Sequence, residues 1–172
     1  MRALISANTD ALNQVLTLIQ AVPDTVYQSA PEGMTSSIGR HVRHVLDHYT
    51  AFQTGIESGE VDYDMRSRDS AVENDASLAE KNITAVIAWI KSKITQDKPI
   101  QMKTEVSVNC KECVVITSSL QRELIYLLNH TLHHAAYVSL MLRKLGVNID
   151  NSIGVAPATQ SYLRSDSLKE VG

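Results

Sequence analysis

Six histidines carry most of the chemistry available to this sequence, and all six lie in two short stretches. One is His41-Val42-Arg43-His44-Val45-Leu46-Asp47-His48, and the other is His130-Thr131-Leu132-His133-His134. Neutral imidazole is the commonest protein ligand for transition metals. A helix turns by about 100° per residue, so His130 and His134 stand one turn apart and within about 40° of each other. Such an i,i+4 pair can place two imidazoles on one ion. His41, His44 and His48, spaced i, i+3, i+7, also share a face, whereas His133 points about 60° to the other side of His130.

The neighbours say which way the second group faces. Glu123, Leu127, His130, His134, Tyr137 and Met141 fall along one helical line, and a stripe carrying Leu and Met faces a core. Imidazoles inside it are poorly solvated, and their charged form is disfavoured. Coordination uses the neutral form and removes that cost. The competing reading keeps these histidines as hydrogen-bonded core residues or as a pH-sensitive surface pair. Asp47, about 60° from His44 on the helix, is placed either to orient a ligand imidazole from behind or to stand as a solvated carboxylate. Glu123 is placed either at a pocket mouth or as a first-turn helix charge.

Two cysteines, Cys110 and Cys113, form a C-x-x-C pair. A closed structural zinc site needs four ligands, and the sequence holds no second cysteine pair. The pair falls at what reads as a hairpin tip rather than at a helix start after a strand, so ordinary thiols are expected.

Four long amphipathic helices must position the histidines. The first covers residues 4–22, where Leu4, Ala7, Ala11, Val15 and Ile19 recur at helical spacing before Pro23 stops it. A loop rich in proline, glycine and serine follows. The second helix, capped by Ser36 or Ser37, spans about 38–58 and ends near Gly59. A polar, charged connection then leads to a capping box at Ser77-Leu78-Ala79-Glu80, which opens a third helix reaching about Ile94. Residues 101–117 change to period two and read as a β-hairpin. The fourth helix starts at Ser118, with Gln121 as its capping-box partner, and Gly146 closes it. The expected fold is all-α: one four-helix-bundle domain over residues 1–172, with long crossover connections after the first and second helices. A small β-hairpin precedes the last long helix, and a tail from 146 to 172 packs on the bundle.

The run Ser37-Ile38-Gly39-Arg40-His41-Val42-Arg43-His44-Val45-Leu46-Asp47-His48-Tyr49, with His130-x-x-x-His134 far downstream, resembles the DinB-like superfamily, which includes YfiT-like proteins. The resemblance spans most of the chain. It implies a four-helix bundle in which one histidine early in the second helix and an H-x-x-x-H pair on the last long helix bind one divalent metal, with positions left open. In that pattern a capping serine precedes the second-helix ligand by seven residues, which lands on His44. The implied triad is therefore His44, His130 and His134. His48 is the competing second-helix ligand and His41 the third choice; otherwise both line the open side of the site. Many members carry Gln three residues after the last histidine, where this chain has Tyr137, a residue suited to packing or to donating to a ligand.

Three neutral imidazoles with an open position describe a catalytic rather than a closed structural site. Zinc or nickel suits them best, with iron or manganese as further candidates. Such an ion acidifies bound water or activates a thiolate. The enzyme readings are hydrolysis and, as the resemblance implies, transfer of a low-molecular-weight thiol to an electrophile; the alternative is a non-catalytic metal-binding stress or scaffold protein. A net charge of −3 provides no basic footprint for nucleic acid. No apolar run approaches the roughly 18 residues of a membrane span, and the amino terminus does not read as a signal peptide. A cytoplasmic address, a small-molecule substrate and a homodimer complete the expectations.

Overall fold

The computed structural model describes residues 1–65 and 70–169, with side chains as far as 166. Residues 66–69 of the charged connection and the last three residues of the tail lie outside the described set. Four long helices carry the structure: α1 (Arg2–Gln20), α3 (Ile38–Ser58), α4 (Ala76–Lys93) and α5 (Leu120–Lys144). Two shorter ones, α2 (Asp24–Gln28) and α6 (Pro157–Lys169), lie in the stretches read from sequence as loop and tail. Each is too short or too weakly patterned to register as an apolar stripe.

Helix ends follow local chemistry. Ser37 Oγ accepts the Arg40 N–H at 3.2 Å, and α3 closes on Gly59 at φ +91°, the left-handed cap that glycine allows most cheaply. The other two caps differ from expectation. Asp75, not Ser77, caps α4 by accepting from Leu78 N–H at 2.8 Å. Ser119, not Ser118, caps α5 through Arg122 N–H. A cap is chosen by which residue has extended backbone just before the first turn, and the tertiary approach decides that.

The principal packing pairs are α1 with α5 and α4, and α3 with α5 and α4. Consecutive long helices α1 and α3 therefore sit across a diagonal, as do α4 and α5. The connection after the first helix crosses over as expected. The second crossover is the one that carries the hairpin, whereas α3 and α4 are neighbours. The hairpin pairs β2 (Pro99–Glu105) with β3 (Cys113–Ser119), from Pro99 opposite Ser119 to Glu105 opposite Cys113. A strand absent from the sequence reading, β1 (Glu60–Asp62), adds to β2 in parallel, giving the order β1-β2-β3. Cys110 and Cys113 are exposed free thiols at the hairpin tip. Among the described residues no helix is long and apolar enough to cross a membrane.

The core is mostly aliphatic, with Leu12, Leu18, Ile83, Ile90, Leu124 and Leu127 fully enclosed. One polar knot ties three helices together inside it. Tyr49 of α3 donates its hydroxyl to Asn8 Oδ1 of α1 at 2.8 Å, and Asn8 Nδ2 donates to the carbonyls of Leu4 and Leu124. Replacing Tyr49 by Phe keeps the ring but strips Asn8 Oδ1 of its buried donor. The expected loss is about 1–3 kcal/mol, read from urea unfolding of the metal-free protein; an unchanged midpoint would show the knot to be energetically idle.

Candidate metal centre

The two histidine groups meet where α3 packs on α5. His41, His44 and His48 come from successive turns of α3, and His130 and His134 from successive turns of α5. Nitrogens of His44, His130 and His134 all lie within 4.8 Å of one another. Ring centroids form a near-regular triangle: His44–His130 4.9 Å, His44–His134 4.7 Å and His130–His134 4.7 Å. The planes meet at 60°, 71° and 64°. The three rings are steeply inclined rather than stacked, and one nitrogen of each is close enough to the others to serve a single ion.

His48 is held differently. It stacks on His130 at 4.1 Å and 29°, and its Nδ1–H donates to the His44 carbonyl oxygen at 2.8 Å. His48 therefore lies beside the cluster as a wall, buried to 5% exposure. His41 borders the other side. Its Nδ1 is 3.0 Å from His134 Nδ1, and the ring of Tyr137 covers it at 4.7 Å. Tyr137 is itself 39% exposed. His133 is exposed, lies outside the three-nitrogen group and meets His134 edge-on, ring centroids 5.2 Å apart. Asp47 is engaged by Arg43, Nη1 to Oδ2 2.6 Å, in a charged group completed by Glu73. It is not the solvated carboxylate of one sequence reading.

Sequence reasoning missed two residues of the wall. Tyr63, immediately after β1, stacks on His48 at 5.4 Å. Tyr126 stacks on His130 at 5.6 Å and meets Tyr63 at 4.9 Å. Tyr126 stands one turn before His130, a signal that was there to read. Tyr63 sits in a polar connection and gave none. Glu123 is the first-turn acid of α5, as one sequence reading had it, and not a pocket-mouth group. It is fully buried, accepting from the Tyr63 hydroxyl at 2.8 Å and from Ser118 Oγ. Burial first, and then the Glu123 carboxylate, push the Tyr63 hydroxyl far above the usual tyrosine range, so Tyr63 acts as a neutral donor that locks its own ring against His48.

The donor set fits a divalent transition metal on chemical grounds. Burial lowers the pKa of His134 to about 2, helped by His130, His44, His41 and His133. A neutral lone-pair donor is what a metal requires. The same shift sets a pH dependence. Unfolded histidine titrates near 6.5, so below that value the unfolded chain takes up a proton that the native chain refuses. This contribution to stability is complete above about pH 6.5 and falls as pH drops through it. Chelator-treated protein is expected to lose urea resistance between about pH 7 and 5; a flat profile there would contradict the burial argument.

The family model for the DinB family matches residues 2–152. The chain belongs to the DinB family. That match covers all four long helices and both halves of the histidine cluster. Among curated proteins, this DinB chain is similar to FK506-binding protein 5 of Rhizopus delemar, 29% identical over 106 residues. The aligned segment is 60% of the chain and 28% of that protein, so the chain spans well under half of its relative. No solved structure matches the chain.

Proposed function

We propose that this DinB-family chain binds one divalent transition metal through His44, His130 and His134 and acts with it on a small-molecule substrate. The observation that carries the reading is the triangle of inclined imidazole rings, drawn from two helices, with His134 kept neutral by burial. Zinc or nickel suits three imidazoles best, with iron or manganese as alternatives. The ion, when bound, supplies Lewis acidity that activates a water or a thiol. The chain's own residues define the approach: His48, Tyr63 and Tyr126 form an aromatic wall beside His130 that limits water on that flank. Two reactions fit a three-nitrogen site with an open position. One is transfer of a low-molecular-weight thiol to an electrophile, supported by the family resemblance. The other is hydrolysis.

A second reading, a non-catalytic metal-binding module, is favoured by the Rhizopus relative, in which the similar segment is a minor part of a longer protein. Two measurements separate these readings. Elemental analysis of the purified protein is expected to return about one transition-metal ion per chain; absence of metal after incubation with micromolar zinc, nickel, iron and manganese would end both readings. The loaded protein is then screened with ester, amide and thiol-plus-electrophile substrates. Turnover that disappears with chelator and returns with the ion supports the enzyme. Inactivity across the panel, with the ion retained, leaves the module.

A further inference from the structure

We propose that His41 is a positioning residue whose imidazole fixes the tautomer of His134 and so aims its metal-binding nitrogen; this rests on the metal reading above. The contact is a ring-nitrogen pair, His41 Nδ1 to His134 Nδ1 at 3.0 Å. Two neutral imidazoles in such a contact have two arrangements. In one, His41 donates from Nδ1; the proton of His134 then sits on Nε2, and both of its nitrogens are spent. In the other, His134 donates from Nδ1, His41 accepts, and the Nε2 lone pair of His134 is left for an ion. Metal binding selects the second. Ligating histidines commonly donate their other N–H to a carboxylate, a carbonyl or water. Here a second imidazole takes that place.

The surroundings of His41 argue against a merely structural role. Its Nε2 is buried and has no hydrogen-bond partner. The cleft beside it has a volume of about 10 Å³ and is otherwise walled by apolar side chains, among them Val15, Leu18, Val42 and Val138. Leucine would suit those neighbours better than an imidazole with an orphaned nitrogen. The ring of Tyr137 packs over His41 from outside, 4.7 Å away, and holds it against His134. A residue that burdens the fold, yet stands with its Nδ1 against a ligand and Tyr137 packed on its ring, is explained by what it does for that ligand.

The test uses the full chain with zinc as the probe. His41→Leu is expected to weaken zinc binding by about 10–100-fold, the usual effect of losing an outer hydrogen-bond partner, while the metal-free protein melts at the same temperature or higher. A structural role predicts the opposite, a lower melting temperature. His41→Gln, whose side-chain oxygen can accept from Nδ1–H, is expected to recover most of the affinity. Ring-nitrogen NMR shifts of the metal-free protein should place the His134 proton on Nδ1 in the wild type and move it to Nε2 in His41→Leu. Zinc affinity within about twofold of wild type in His41→Leu, or an unmoved His134 proton, overturns the proposal while leaving the metal site standing. Failure of the wild type to bind zinc, nickel, iron or manganese is the distinct result that removes the metal reading itself.

Discussion

Replacing His44, His130 or His134 singly by alanine is expected to weaken metal binding by roughly two to four powers of ten. Structural zinc sites bind with about 10–16 kcal/mol in total; on that scale one ligand in three or four accounts for about 3–5 kcal/mol, and 1.4 kcal/mol is tenfold. Competition against a chromophoric chelator measures this directly. The three effects should be of similar size, because the three rings are related by nearly equal separations and inclinations. His48→Ala is the informative control. His48 stacks on a ligand and bonds a backbone carbonyl, so its loss should cost about tenfold or less. His133→Ala should cost nothing measurable. A His48→Ala defect as deep as that of His44→Ala would transfer the second-helix ligand from His44 to His48.

The second large effect concerns the scaffold. Gly39 lies in the first turn of α3, where a Cβ would fall 2.0 Å from the Glu73 carbonyl oxygen and 2.8 Å from Tyr27 Cε1. Neither neighbour can yield cheaply. Glu73 ends the 3-10 turn Ala71–Glu73 and is held to α3 by Arg40 and Arg43. Tyr27 of α2 is fully buried and donates to the Val72 carbonyl at 2.8 Å. Gly39→Ala must therefore lift that turn and α2 away from α3. Helix propensity alone favours alanine by about 1 kcal/mol. The expected result has the opposite sign, a loss of about 3 kcal/mol, or about 6–12 °C in melting temperature for a chain of this size. A melting temperature at or above that of the wild type would show that the close approach is not what demands glycine.

The histidine pattern and the helices that bear it were legible because both arise from one short-range period. Residues four apart share a helix face whatever the rest of the chain does, so His130 with His134 could be paired without knowing any neighbour. The hairpin was legible for the same reason, through alternation over a few residues. The three-residue strand β1 was not, because nothing in Glu60–Asp62 has a period long enough to detect, and its pairing with Gln101–Lys103 is made across the fold. Tyr63 follows from β1 and was hidden with it. Glu123 was legible as a first-turn helix charge, but its burial was not, since a carboxylate is rarely buried without partners, and its partners Tyr63 and Ser118 come from the turn after β1 and from β3.

Local order along the chain thus accounts for the four helices, their apolar faces and the candidate imidazoles, since each depends on contacts within about two turns. Which second-helix histidine faces the pair on α5, which one stacks as a wall and which one supports His134 from behind depend on the angle and depth at which α3 meets α5. Contacts between residues far apart in sequence join those two helices, the Thr131 hydroxyl donating to the Tyr49 hydroxyl and Tyr49 in turn to Asn8 among them. His41, His44 and His48 share one helix face, and only packing against a second helix makes them different.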